Sequence, residues 1–138
     1  MLFRSAGAVV AERCRLIVTT TAASAPVLHA RDIRAGTHIS AIGSDTPHKQ
    51  ELDPGILARA SRVVVDSIAQ SRLRGEAHKA LEAGAIKLEK LEEIGNVILG
   101  GCPGRMNDDE ISVFDSTGLA VQDLQIATAV AERAAGIR

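Results

Sequence analysis

Four short polar clusters in this sequence carry residue types that can bind and transform a small molecule. They are Thr19-Thr20-Thr21-Ala22-Ala23-Ser24, then Gly43-Ser44-Asp45-Thr46-Pro47-His48-Lys49-Gln50-Glu51, then Asp66-Ser67, and finally Asp115-Ser116-Thr117-Gly118. Hydroxyls can donate to and accept from a polar ligand, glycine lets a backbone approach closely, and a carboxylate can exchange a proton. Each cluster directly follows a β-branched apolar run: Leu16 to Thr20, His38 to Ile42, Arg62 to Asp66 and Ile111 to Phe114. Open α/β sheets bind ligands just beyond the carboxyl ends of their strands, so position alone makes these clusters one candidate cleft. Turn chemistry favours the same residues, and that bland explanation stays open at this level.

The elements that would position such a cleft alternate. The first three runs are continuous in apolar residues, which suits strands covered on both faces. Between them, Ala6 to Glu12 reads as a helix, and Asp53 before Pro54 is an N-cap followed by a proline whose missing N–H costs nothing. That helix runs through Ile56, Leu57 and Ala60. Ser67 to Ala83 reads as helical with a break near Gly75 and a stop at Gly84. Lys87 to Leu99 places Leu88, Leu91, Ile94 and Ile98 on one stripe, and from Gly118 onward Ala120, Leu124, Ala127, Ala131 and Ala134 share another. Strand and helix in alternation predict an α/β fold, a parallel sheet with right-handed crossovers.

Composition narrows the class. With 138 residues the chain suits one domain, and 46% apolar residues suffice for a core. Aromatic residues make up only 1%, so that core must be aliphatic. A net charge of −1 with 24% charged residues speaks against a basic nucleic-acid surface. No apolar run approaches the ~18 residues of a membrane span. Met1-Leu2-Phe3-Arg4 does not open a signal peptide, since no apolar stretch follows it. Two cysteines, Cys14 and Cys102, make neither a disulfide scaffold nor a metal site, so a cytoplasmic setting with reduced thiols is expected. Cys14 is expected to be buried and Cys102 to lie in a loop. Gly100-Gly101-x-x-Gly104 follows a helix rather than a strand, which disqualifies it as a dinucleotide-binding turn.

The segment Gly43 to Asp53 resembles the G-x-D-x-P-G-K-x-E-L signature of the ornithine cyclodeaminase/mu-crystallin family. The flanks agree in order: Val18-Thr19-Thr20-Thr21 before it, Arg62-Val63-Val64-Val65-Asp66-Ser67 after it, then Ile94-Gly95-Asn96-Val97-Ile98-Leu99-Gly100, Pro103-Gly104-Arg105 and Ile111 to Leu124. The resemblance implies a chain that carries the second half of a Rossmann-type, doubly wound sheet and a C-terminal helix that closes onto a substrate domain. Relative to the family pattern, the glycine-rich turn, the ribose-binding acidic residue and the substrate-binding domain are not found in these residues. The resemblance further implies NAD (or NADP, whose discriminating residue is absent), an amino-acid substrate and a homo-oligomer, with no nucleic-acid or membrane partner.

Its chemistry would be hydride transfer through an imine. The leading expectation is the cyclodeaminase reaction, ornithine to proline and ammonia; the alternatives are an amino-acid dehydrogenase or ketimine reductase of the alanine dehydrogenase kind, or a non-catalytic remnant. Carried over by the match, Asp45 is the catalytic base and touches substrate together with Thr117. Thr20, Ala41, Ile42, Gly43, Ser44, Lys49 and Ser116 would bind the cofactor. Plainer roles remain: Thr20 could end a strand, Lys49 could be a solvated charge beside Glu51, and Ser116 could start the last helix. His48 replaces the family's glycine, which would strain the loop if that position were left-handed, or would set a titrating group beside Asp45. Asp115 stands where many reductase-like members carry lysine. His29 and His38 read as structural or surface residues. The 138 residues alone are expected to bind NAD weakly, to lack turnover, and to self-associate through an uncovered sheet edge.

Overall fold

The computed structural model describes residues 6–136; the reading of Met1 to Arg4 lies outside the described residues. Helix α1 (Ala6–Arg13) leads into strand β1 (Leu16–Thr19). Next come β2 (Ser24–Leu28), a 3-10 turn at Ala30–Asp32, β3 (His38–Ala41) and β4 (Gln50–Leu52). Helix α2 (Pro54–Arg59) begins as its sequence demands: the Asp53 carboxylate accepts the Gly55 N–H at 2.8 Å. After β5 (Arg62–Val65), the helical stretch divides into α3 (Ile68–Ser71) and α4 (Glu76–Glu82) around Gly75, and Gly84 follows with a positive φ of 66°. A 3-10 turn (Leu88–Lys90), β6 (Leu91–Glu93), α5 (Ile94–Ile98), β7 (Ser112–Asp115) and α6 (Ala120–Ala134) complete the order. No described helix is long and apolar enough to cross a membrane.

The main sheet has five parallel strands in the order β1-β3-β7-β5-β6, and a second parallel pair joins β2 to β4. This is the expected α/β architecture. Register aligns Thr19 with Ala41, Ala41 with Asp115, and Val65 with Asp115, so four strands end at one level on one edge. All four candidate clusters therefore emerge on the same side.

Coverage differs from expectation. Ile17, Ile39, Val63, Val65 and Val113 pack with Ala11 of α1, Ile56 and Leu57 of α2, and Ala77 and Ala80 of α4 in a single core. The opposite residues of β1, Leu16 and Val18, are 69% and 60% exposed. The runs are continuous in sequence, yet burial alternates along β1, β3 and β5, because the helices α1, α2 and α4 of this core occupy one face. As expected of a partial sheet, β1 is an uncovered edge.

Two further readings are corrected. The stripe from Leu88 to Ile98 is not one helix: Leu91 to Glu93 pair with Val63 to Val65, and Ile98 is 77% exposed. Ladder hydrogen bonds to β5, with Leu91 delivered to the core, outweigh the helical period of the sequence. Cys14 is exposed rather than buried, because it lies in the α1–β1 connection, past the last core contact of the helix; Cys102 is half-buried in a loop, as read. Helix α6 forms where its alanine stripe predicts, with none of its described residues buried.

Candidate functional site

The ends of β1 and β3 are joined by a buried carboxylate. Glu51, in the middle of β4, is fully buried. Its Oε2 accepts the Thr19 hydroxyl at 2.7 Å and the Gly43 N–H at 2.9 Å, and its Oε1 accepts the Thr21 N–H. A buried charge tolerates such a position only when its oxygens are saturated with donors. Gly43 is required by the same packing: a Cβ there would sit 2.3 Å from the Thr21 carbonyl oxygen and 2.5 Å from Glu51 Oε1.

From Gly43 the chain makes a closed loop. The Ser44 hydroxyl donates to the Lys49 carbonyl at 2.9 Å, and the Lys49 N–H donates to the Thr46 carbonyl at 3.2 Å. At the tip, the Lys49 ammonium donates to Asp45 Oδ1 at 2.7 Å. That hydrogen bond, with the lysine's charge, holds the Asp45 carboxyl below its ordinary value although burial opposes it. Asp45 is consequently an exposed, ionised carboxylate. His48 is exposed on the same loop, and no described non-glycine residue has positive φ, so the loop bears no left-handed histidine.

Behind the loop stand two more buried carboxylates. Glu76 accepts the Glu51 and Leu52 N–H groups at 2.7 and 2.9 Å. Burial pushes its carboxyl up to about 7, against the lowering effect of those N–H bonds and of the Ser44 hydroxyl; the Glu51 charge adds to the rise. Asp115, at the end of β7, accepts the Ala77 N–H through Oδ2 at 2.8 Å, while its buried Oδ1 has no partner. Burial raises its carboxyl to about 7 as well, with Glu76 and Asp66 contributing. Gly75 makes room for it: φ is 91°, and a Cβ would lie 2.7 Å from both Asp115 Oδ2 and Thr117 Cγ2. The fourth cluster folds onto Asp66, whose oxygens accept the Ser116 hydroxyl at 3.2 Å, the Thr117 hydroxyl at 3.1 Å and the Gly118 N–H at 2.8 Å.

Of the residues singled out from sequence, Thr20, Ile42 and Asp45 are exposed at the rim, and Gly43 and Lys49 are half-buried there. Ala41, Ser44, Ser116 and Thr117 are buried just beneath it, the hydroxyls of the last three already bonded within the protein. The Ser116 N–H donates to the Ala41 carbonyl at 2.9 Å, which sets the β7 end beside the β3 end. Sequence reasoning passed over Glu51, Glu76 and the carboxylate role of Asp66. Glu51 is the glutamate of the G-x-D-x-P-G-K-x-E-L signature, which singles out its position, but beside Lys49 and Gln50 its burial is not legible. His38 is structural, its Nδ1 2.8 Å from Ser112 Oγ; burial, then the Arg105 charge, lowers its pKa.

The profile of the ornithine cyclodeaminase/mu-crystallin family matches residues 4–137. The chain belongs to that family. Among its relatives, the alanine dehydrogenase of Archaeoglobus fulgidus is 48% identical over 125 residues, which is 90% of this chain and 38% of that protein. The iminosuccinate reductase of Paracoccus denitrificans is 44% identical over 119 residues, 86% of this chain and 37% of the relative. A solved archaeal alanine dehydrogenase dimer with bound NAD superposes with a TM-score of 0.82 at 47% identity, covering 91% of this chain and 39% of that one. A probable ornithine cyclodeaminase from Bordetella pertussis gives 0.83 at 31% identity, covering 96% and 43%. The chain thus spans less than half the length of the family members it matches. Its five-stranded parallel sheet corresponds to part of their fold.

Proposed function

We propose that this chain forms the C-terminal part of the nucleotide-binding domain of an NAD-dependent amino-acid or imino-acid oxidoreductase. The observation that carries this reading is Asp45, ionised and exposed at the rim where three parallel strands end, in a chain 48% identical to an alanine dehydrogenase. Two relatives named as oxidoreductases, 48% and 44% identical, support this reading. A cyclodeaminase would share the first half-reaction and add an internal attack by the side-chain amine.

The rim fits a dinucleotide's nicotinamide end. The exposed Thr20 hydroxyl and Ile42 side chain offer a polar and an apolar surface beside half-buried Gly43. Because the Ser44 and Ser116 hydroxyls are engaged internally, these two residues and Ala41 would meet the cofactor through backbone, and Lys49 through its ammonium. When bound, NAD supplies the hydride acceptor for the amino-acid Cα–H, or in its reduced form the donor to an imine. Asp45 takes a proton from the substrate ammonium, leaving a neutral amine whose lone pair can form the imine. Its lowered pKa is poor for this task in water, so substrate must displace Lys49 or exclude water to raise it. Thr117, buried with its hydroxyl on Asp66 and Gln70, would meet the bound amino acid only through its backbone. The archaeal alanine dehydrogenase is a dimer, and a homo-oligomer is proposed for this assembly too.

The test is NADH binding, by fluorescence titration, and NADH-dependent amination of pyruvate or reduction of iminosuccinate. It is run on the 138 residues alone and joined with the remaining segment of the Archaeoglobus relative. The joined protein turns over and the chain alone does not. In it Asp45→Asn loses activity about 10²–10⁴-fold with NADH affinity retained. Unchanged turnover by Asp45→Asn, or no NADH binding in the joined form, refutes the assignment.

A further inference from the structure

Glu51 stands apart from the residues proposed to touch ligand. It is fully buried, yet its two oxygens gather donors from both sides of the proposed cofactor rim: Thr19 and Thr21 at the end of β1, and Gly43 at the start of the Asp45 loop. The only direct backbone bond across this seam beyond the strands runs from the Ile42 N–H to the Thr19 carbonyl, at 2.9 Å, among the described residues. Glu51 is itself held from behind, where its own N–H and that of Leu52 donate to Glu76. Two carboxylates in series thus connect helix α4 to the rim. Without Glu51, the Thr21 and Gly43 N–H groups would lose the one acceptor that joins them.

We propose that Glu51 is a positioning residue for cofactor binding: its carboxylate sets the spacing between the β1 end, which presents Thr20, and the loop that presents Gly43 and Asp45. This rests on the NAD reading of the site. The carboxylate is specifically needed, because every group it meets is a donor. In Glu51→Gln the amide keeps one accepting oxygen, and its NH2 faces either the Thr21 N–H or the Gly43 N–H, breaking one of the two backbone tethers.

Hydrogen exchange and NADH titration on the same proteins test this. In Glu51→Gln, the Thr21 or Gly43 amide exchanges about tenfold faster, core amides of Ile39 and Val63 stay protected, and NADH binds about tenfold more weakly, as expected for one lost hydrogen bond to a charged group. A purely structural glutamate would lower Tm and leave NADH affinity of the folded protein as it was; that result overturns the proposal. Should Glu51→Gln lose core protection too, Thr19→Val carries the test, since it removes one donor and keeps both backbone tethers. A weakening of about threefold supports the positioning role and unchanged affinity overturns it. Wild-type protein that binds no NADH in the joined form refutes the functional reading instead, and amide exchange then still decides whether Glu51 holds the rim.

Discussion

Replacing Glu76 by glutamine should alter how stability depends on pH, not simply lower it. Glu76 is 1% exposed, and burial lifts its carboxyl from an ordinary 4.5 to about 7. The folded state therefore holds a proton that the unfolded chain has already released between those values. Stability contributed by this group is complete below pH 4.5 and is lost as pH rises toward 7. At 1.36 kcal/mol per pH unit, the gap amounts to about 3 kcal/mol, an upper limit because the buried Asp115 carboxyl, also raised to about 7, competes for the same proton. Glutamine removes the titration and also one of the two acceptors for the Glu51 and Leu52 N–H groups, at a cost of about 1–3 kcal/mol. The variant should be less stable than wild type near pH 4.5 and close to it, or better, at pH 8. Urea unfolding of both proteins across this range measures it. Two parallel curves, with a constant difference at every pH, would refute the argument that Glu76 carries the shifted proton.

Two other substitutions probe the rim. Lys49→Met removes the ammonium that lies 2.7 Å from Asp45, so the Asp45 carboxyl should titrate at higher pH than in wild type, as followed by carboxyl carbon NMR; an unmoved titration contradicts the pairing. Gly43→Ala drives a Cβ to 2.3 Å from the Thr21 carbonyl oxygen and 2.5 Å from Glu51, which should destabilise the chain by about 1–3 kcal/mol in thermal unfolding and weaken NADH binding. A fully stable alanine variant would mean that the two strand ends are looser than described.

Local chemistry was readable in advance where one residue decides a local outcome. Asp53 and Pro54 announce the start of α2, Gly75 divides α3 from α4, and Gly84 ends the second of them, each through a cap or backbone preference that needs no distant partner. Aliphatic runs likewise located four of the five strands of the main sheet, and the order of polar residues from Gly43 to Leu52 carried the family. Those signals lie within a few consecutive residues. What tertiary structure alone decided is non-local. Leu91 to Glu93 become a strand because β5 offers them an edge, against a helical apolar period. Leu16 and Val18 belong to an apolar run but stay exposed because the core helices pack on one face. Above all, nothing in the sequence shows that Glu51, Glu76 and Asp115 are buried, although Asp115 stands out there as a strand-end carboxylate. They are buried because donors from β1, β4, α4 and the Gly43 loop converge on their oxygens, up to 38 positions away. A carboxylate's burial is set by what surrounds it in space, and that is known only once the chain has folded.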